Sequence, residues 1–304
     1  MDYVHYAAID IGSNAVKLLI KRLESAYLGT FTKVVTLRVP LRLGQDVFTT
    51  GKISERKMYD LRDIIKAFAL VMKVYGVKKK NFRACATAAM REATNGHEVA
   101  NLIRTSLDID IDIISGITEA AIVCAIHANR TQANELLYVD VGGGSTEVSL
   151  VCYGHIEKTK SYPIGTVRIL NGAIAEGVSE ELVRDMELIA IDHPNLTIVG
   201  AGGNIGKLFN LTDEHDLAEQ SIKPEVLRKL YDKLSALSIE QRVAQFGLKP
   251  DRADVIVPAA NIFLLIADAI KAESIEVPST GLADGIIEDI FWRQTEKTAR
   301  LSPK

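Results

Sequence analysis

Cysteine is scarce in this 304-residue chain, and the three present, Cys85, Cys124 and Cys152, lie far apart among apolar residues. An odd, scattered set offers no disulfide framework. It also offers no C-x-x-C or Cys/His cluster for zinc, so the thiols are expected to be buried in a reducing cytoplasm. Basic charge is not in excess either: 36 Lys+Arg against 39 Asp+Glu leave a formal net charge of −3. That argues against nucleic acid as the main partner. It leaves an anionic substrate open, because one nest of backbone N–H groups outweighs a small global charge. The opening MDYVHYAAIDIG has neither the basic nor the apolar region of a signal peptide. The longest apolar tract, Val255 to Ala272, is broken by Asn261 and Asp268 and reads as a buried helix rather than a membrane span. With no Pro/Ser-rich linker or low-complexity run, the expectation is a soluble, cytoplasmic globular protein.

The length favours two domains. Tyr6 to Ile11, the turn Gly12-Ser13-Asn14 and Ala15 to Lys21 read as a hairpin, followed by a strand from Val34 to Leu43. Ser54 opens a helix whose apolar residues, from Met58 to Met72, recur at three- and four-residue steps. Further strands are expected at Phe82–Ala86, Ile109–Ile114, Leu136–Val141, Glu147–Cys152, Leu196–Val199 and Ser274–Val277. Helices are expected at 98–107, 118–129, 180–191, 225–237, 255–272 and 282–296.

One internal echo organises the chain. AIDIGSNAVKLLI and YVDVGGGSTEVSL share a plan of apolar strand, central aspartate, glycine turn and second strand, with Asp10 and Asp140 placed 130 residues apart. Two related α/β domains, 1–123 and 124–304, are expected around a cleft, a favoured place for ligands. The last helix, bearing Phe291 and Trp292 on its apolar side, is expected to pack back on the first domain.

Both turns place small residues where a strand ends. Glycine admits close approach of the backbone, and successive N–H groups in such a turn form an anion-binding hollow. Gly12, Ser13 and Asn14 in one half, and Gly142, Gly143, Gly144, Ser145 and Thr146 in the other, are the candidate phosphate binders. A carboxylate beside phosphate is repulsive unless it holds Mg²⁺ or orients water, which makes Asp10 and Asp140 candidates for that work. Either turn alone would pass as an ordinary hairpin; two in matching context point to phosphate. Neither is a P-loop, because G-x-x-x-x-G-K-[ST] is absent. A third cluster around Gly202 and Gly203 fits a ligand contact or a plain strand–helix turn equally well. Arg91 in ATAAMREA and Glu119 in SGITEA each follow a strand, where α/β proteins place ligands. Arg91 could clamp phosphate oxygens and Glu119 could take a proton from water. By spacing alone, a surface ion pair and a first-turn helix carboxylate account for them better.

Taken together, IDIGSN, ATAAMREA, SGITEA, VDVGGGSTE, PIGTVR, GAGGN and RADVIVPA…GLADGI resemble, in order and spacing, the exopolyphosphatase/guanosine pentaphosphate phosphohydrolase (Ppx/GppA) family. The resemblance covers nearly the whole chain and its short, two-domain form. It implies duplicated ribonuclease-H-like domains of the actin-like superfamily, a polyphosphate or guanosine polyphosphate substrate, Mg²⁺ and a homodimer. It implies that Glu119 is the base activating water, that Asp140 and Glu147 serve Mg²⁺ and the water, and that Arg91 lies near the phosphates. The chain departs from the family at Thr118 and Ala121 around the base, at Asn204 in the third glycine turn, and at Ala283 and Asp284 in the late Leu-Arg-Glu-Gly. These losses of charge or donor bear on substrate preference and turnover, not on fold.

Overall fold

The computed structural model describes residues 3–127, 135–212, 214, 216, 220–278 and 280–301. In chain order the first elements are β1 (His5–Ile11), β2 (Ala15–Ser25), β3 (Thr30–Pro40), α1 (Leu43–Thr50), α2 (Glu55–Val74), β4 (Phe82–Ala86), α3 (Ala88–Glu92), α4 (Gly96–Leu107) and β5 (Ile111–Ile113). There follow α5 (Gly116–His127), β6 (Glu135–Val141), β7 (Thr146–Cys152), β8 (His155–Tyr162), α6 (Thr166–Leu170), α7 (Val178–Asp192), β9 (Thr197–Ala201) and α8 (Gly203–Phe209). The last are β10 (Ser221–Ile222), α9 (Pro224–Ser235), α10 (Ile239–Phe246), α11 (Pro250–Ala253), α12 (Ile256–Ile270), β11 (Ile275–Glu276) and α13 (Leu282–Leu301).

Two compact units result, Met1–Ser115 with Leu282–Lys304, and Gly116–Gly281. The boundary expected after Val123 falls inside α5, and that whole helix belongs to the second unit because its apolar side packs on β7 and β8. The expected end of that helix, residues 128 and 129, lies outside the described residues.

The first unit is built on a sheet of order β3-β2-β1-β4-β5, in which β1, β2 and β3 are antiparallel and β4 and β5 run parallel to β1. Alternation along the strands divides its two faces. Ala7, Ile9, Ile11, Val16, Leu18 and Ile20 join one core with Leu61, Ile65 and Phe68 of α2 and Val99 and Ile103 of α4. The other face is covered by α13, whose Phe291 meets Tyr6 edge-on at 6.0 Å and Phe31 at 5.5 Å. Trp292, expected on the apolar side, is instead 45% exposed. A buried ion pair, Lys21 Nζ to Asp284 Oδ1 at 2.7 Å, and a second from Arg83 to Asp289 at 3.0 Å fasten α13 to the sheet.

The second unit repeats the plan with the order β10-β11-β9-β6-β7-β8. Its β6, β7 and β8 are antiparallel, and β9 and β11 continue parallel to β6, so the five strands from β11 to β8 match the first sheet in order and direction. Leu137, Val139, Val141, Val148 and Leu150 face α7, α8, α9 and α12 in the larger core. The apolar tract ending near Ala272 is α12, in which Ile262, Phe263 and Ile266 are wholly buried. The opposite face carries Leu136, Tyr138, Val151 and Val199 packed on Cys124 of α5. Burial pushes the thiols of Cys85 and Cys124 up to about 12 and about 11, as inert core cysteines require.

Several elements differ from expectation. The segment expected to be strand through Leu43 ends at Pro40, and α1 begins at Leu43 behind Arg42, which takes a left-handed φ of 54°. Proline lacks the N–H a continuing ladder needs. β8, β10, α1, α3, α6, α10 and α11 have no counterpart among the expected elements. The first half of β8 is exposed at the sheet edge, and its lysine-bearing sequence HIEKTKSY has the polar character of protected edges rather than a buried alternation.

Candidate active site

In the second unit, β6 and β7 bring Asp140 directly opposite Glu147 in register. Opposed residues of an antiparallel pair share a face, and here it is the face covered by α5. Glu119 stands in the first turn of α5 and is 8% exposed. Three residues earlier, a Cβ on Gly116 would meet Ser161 Oγ at 2.6 Å and Glu147 Oε1 at 3.2 Å. The start of α5 thus sits against Glu147, and only glycine allows that approach. Glu147 is itself buried, and its Oε1 accepts hydrogen bonds from Ser145 Oγ at 2.6 Å and Ser161 Oγ at 2.8 Å.

The loop joining β6 to β7 is held from outside. Gly142 N–H closes the turn on Ser145 O at 2.9 Å. The Gly142 carbonyl accepts from Thr166 N–H, and the Gly143 carbonyl from Val167 and Arg168 N–H, at 2.8–3.1 Å. The buried Arg168 adds its Nε to Gly144 O at 2.8 Å. These bonds use the loop carbonyls. Among the described residues, the N–H groups of Gly143, Gly144 and Ser145 make no hydrogen bond, which is the arrangement an anion-binding turn requires. Thr146 is different: its hydroxyl is wholly buried and donates to Ile164 O at 2.7 Å, so it anchors the strand rather than facing a ligand.

Gly202 has φ +89°, and a Cβ there would lie 2.6 Å from Asp140 Oδ1, so this turn closes on the Asp140 carboxylate. Gly203 faces the Arg252 guanidinium, whose Nη1 donates to its carbonyl at 2.6 Å. Asn204, a departure from the family pattern, donates Nδ2 to Val141 O at 2.9 Å and ties the turn to the end of β6.

In the first unit, Asp10 and Lys17 are opposed in register as Asp140 and Glu147 are in the second, and here they form an ion pair at 3.0 Å. Asp10 therefore already has a cation, and a metal role for it meets a competitor in Lys17. Gly12 N–H closes its turn on Ala15 O at 3.0 Å; Ser13 O and Asn14 O accept from Gly44 and Arg42 N–H at 2.9 and 3.0 Å. Arg91, in α3, donates Nη1 to Ile114 O at 2.9 Å, which ties α3 to the end of β5.

Sequence reasoning assigned no role to Arg168, Ser161 or Arg252. Arg168 and Arg252 stand inside PIGTVR and RADVIVPA, quoted for the resemblance, so the signal was present without a task attached. Ser161 carried none, because its position depends on β8.

Two sheets of one strand order, each with an Asp–Gly hairpin at its centre, define a duplicated ribonuclease-H-like α/β protein. A sequence model of the Ppx/GppA phosphatase family matches residues 20–293, and the chain belongs to that family. The guanosine-5'-triphosphate,3'-diphosphate pyrophosphatase of Aeromonas hydrophila is 26% identical over 97% of this chain, which spans 61% of that relative's length. Exopolyphosphatase 1 of Mycobacterium tuberculosis (strain H37Rv) is 25% identical over 92% of this chain and 86% of its own. Among solved structures, an exopolyphosphatase from Cytophaga hutchinsonii shares the fold with a TM-score of 0.78 at 21% identity, covering 95% of this chain and 98% of that one. The Aquifex aeolicus Ppx/GppA family member does so with a TM-score of 0.75 at 23% identity, covering 99% and 100%.

Proposed function

We propose that the chain is an exopolyphosphatase, removing orthophosphate from the end of inorganic polyphosphate by hydrolysis of the terminal phosphoanhydride. One observation carries this reading: Glu119 is on the helix that covers the face bearing Asp140 and Glu147, in the unit whose glycine loop offers unused N–H donors. Glu119 takes a proton from the attacking water. The N–H groups of Gly143, Gly144 and Ser145 receive phosphate oxygens, and Arg168 and Thr166 hold their loop rigid, so little reorganisation is needed as charge shifts. Glu147, fixed by two serine hydroxyls, orients water rather than roaming.

Asp140, backed by Gly202, suits Mg²⁺, which takes one or two carboxylates and otherwise water and phosphate oxygen. Glu147 suits contact with it through water, since one of its oxygens already serves two donors. The ion, when bound, supplies neutralisation of phosphate charge.

The name of the Aeromonas relative supports a second reading, hydrolysis of guanosine pentaphosphate by the same residues. Phosphate release with Mg²⁺ from long polyphosphate, short polyphosphate and guanosine pentaphosphate separates the two by rate. Glu119→Gln is expected to lower turnover by roughly 10²–10⁴-fold, the usual worth of a general base. Full activity in that variant would remove the proposed base, and binding without turnover of any substrate would make the chain a sensor.

A further inference from the structure

Cys152 and the histidines received no chemical task from the sequence, yet the fold gathers one of each with a carboxylate. Glu135 begins β6 and faces Cys152 at the end of β7 in direct register. Both lie on the α7 side of the sheet, and His193 caps the C-terminal end of α7. One ligand atom from each of the three lies within 4.8 Å of the others, the one such trio among the described residues. His193 Nδ1 is 3.2 Å from Glu135 Oε1; it is out of solvent and makes no hydrogen bond, the two atoms being close but out of line.

We propose that Glu135, Cys152 and His193 form a binding site for a thiophilic divalent cation of the zinc type. A tetrahedral zinc with bonds of about 2.0–2.1 Å sets its nitrogen and oxygen ligands about 3.3 Å apart, close to the observed separation. The donor set of thiolate, imidazole and carboxylate suits zinc and excludes Mg²⁺ as the preferred ion. The site is five residues along β6 from Asp140, or about 17 Å, and on the other face, so it is separate from the phosphate chemistry. Three protein ligands leave one position for water or a small anion.

Titration of the full, metal-free chain with Co²⁺ and Zn²⁺ tests this. The expected result is one Co²⁺ per chain with a thiolate-to-cobalt charge-transfer band, displaced by Zn²⁺ and indifferent to excess Mg²⁺. Cys152→Ser should abolish the band, and His193→Gln and Glu135→Gln should each weaken Zn²⁺ binding about tenfold or more. Circular dichroism checks that each variant folds; should Cys152→Ser fail to fold, the other two variants and the wild-type band carry the test. A missing band, a band that survives Cys152→Ser, or wild-type affinity in both His193→Gln and Glu135→Gln overturns the site.

Discussion

Gly165 stands so close to Gly143 that a Cβ on it would lie 2.6 Å from the Gly143 carbonyl carbon and oxygen. The contact is backbone to backbone, where no flexible side chain can yield. It lets the chain after β8 run against the glycine loop and deliver the N–H groups of Thr166, Val167 and Arg168 to the loop carbonyls.

Gly165→Ala is therefore expected to push the loop away from α6. Overpacking of this kind costs about 1–3 kcal/mol, read as a lowered midpoint in urea with an unchanged slope. Phosphate release should fall further than stability predicts, because the displaced loop carries the proposed donors. A variant with wild-type stability and turnover would mean that the two segments separate freely and that the close approach has no role.

Much of this was legible in the sequence. The Asp–Gly hairpins announced themselves because glycine turns flank two short apolar strands in each half, and the duplication followed from their echo. Position within the site was another matter. Asp10 and Asp140 look alike in sequence, yet one faces Lys17 and the other Glu147, a distinction that only strand register makes. Thr146 reads as a loop donor, but its hydroxyl is turned inward to Ile164 by the alternation of β7. The Glu135, Cys152 and His193 trio spans 59 residues of sequence and meets only because β6, β7 and the end of α7 converge.

The late segment Leu282-Ala283-Asp284-Gly285 departs from the family pattern, and Asp284 has acquired a partner within the first unit. Lys21 Nζ is 2.7 Å from it, with both side chains under a tenth exposed, and Lys33 joins at 3.1 Å. Breaking a buried pair that leaves a charge uncompensated costs about 3–5 kcal/mol, an upper bound here because Lys33 stays beside Asp284. Lys21→Met should therefore destabilise by less than that bound and loosen α13, seen as faster proteolysis of the C-terminal segment. Lys21→Met combined with Asp284→Leu removes both charges and should recover most of the loss. Equal instability of the single and double variants would show that the pair's geometry, not its uncompensated charge, is what matters.

The second unit has a pH-sensitive clasp in Asp185 of α7. Its carboxylate accepts from Lys160 Nζ at 2.5 Å and from Tyr162 Oη at 2.8 Å, both on β8. Burial pushes the Asp185 carboxyl up, but the bonds from Lys160 and Tyr162 together with the Lys160 charge outweigh it, and the net shift is downward. The sign of the linkage follows: a depressed carboxylate contributes stability that is present above its unfolded value, about 3.9, and lost as pH falls through the lower folded value. The Lys160 ammonium is shifted upward, mainly by its bonds to Asp185 and Glu181, so its share is lost only as pH rises past about 10.4. Between those limits Asp185→Asn should cost about 1–2 kcal/mol, allowing for solvent screening at the partly exposed Lys160. The gap between wild type and variant should stay flat from about pH 5 to pH 9 and shrink below about pH 4. Urea midpoints across that range measure it. A gap that persists undiminished at the lowest pH at which the protein still folds would mean that Asp185 acts through packing rather than charge.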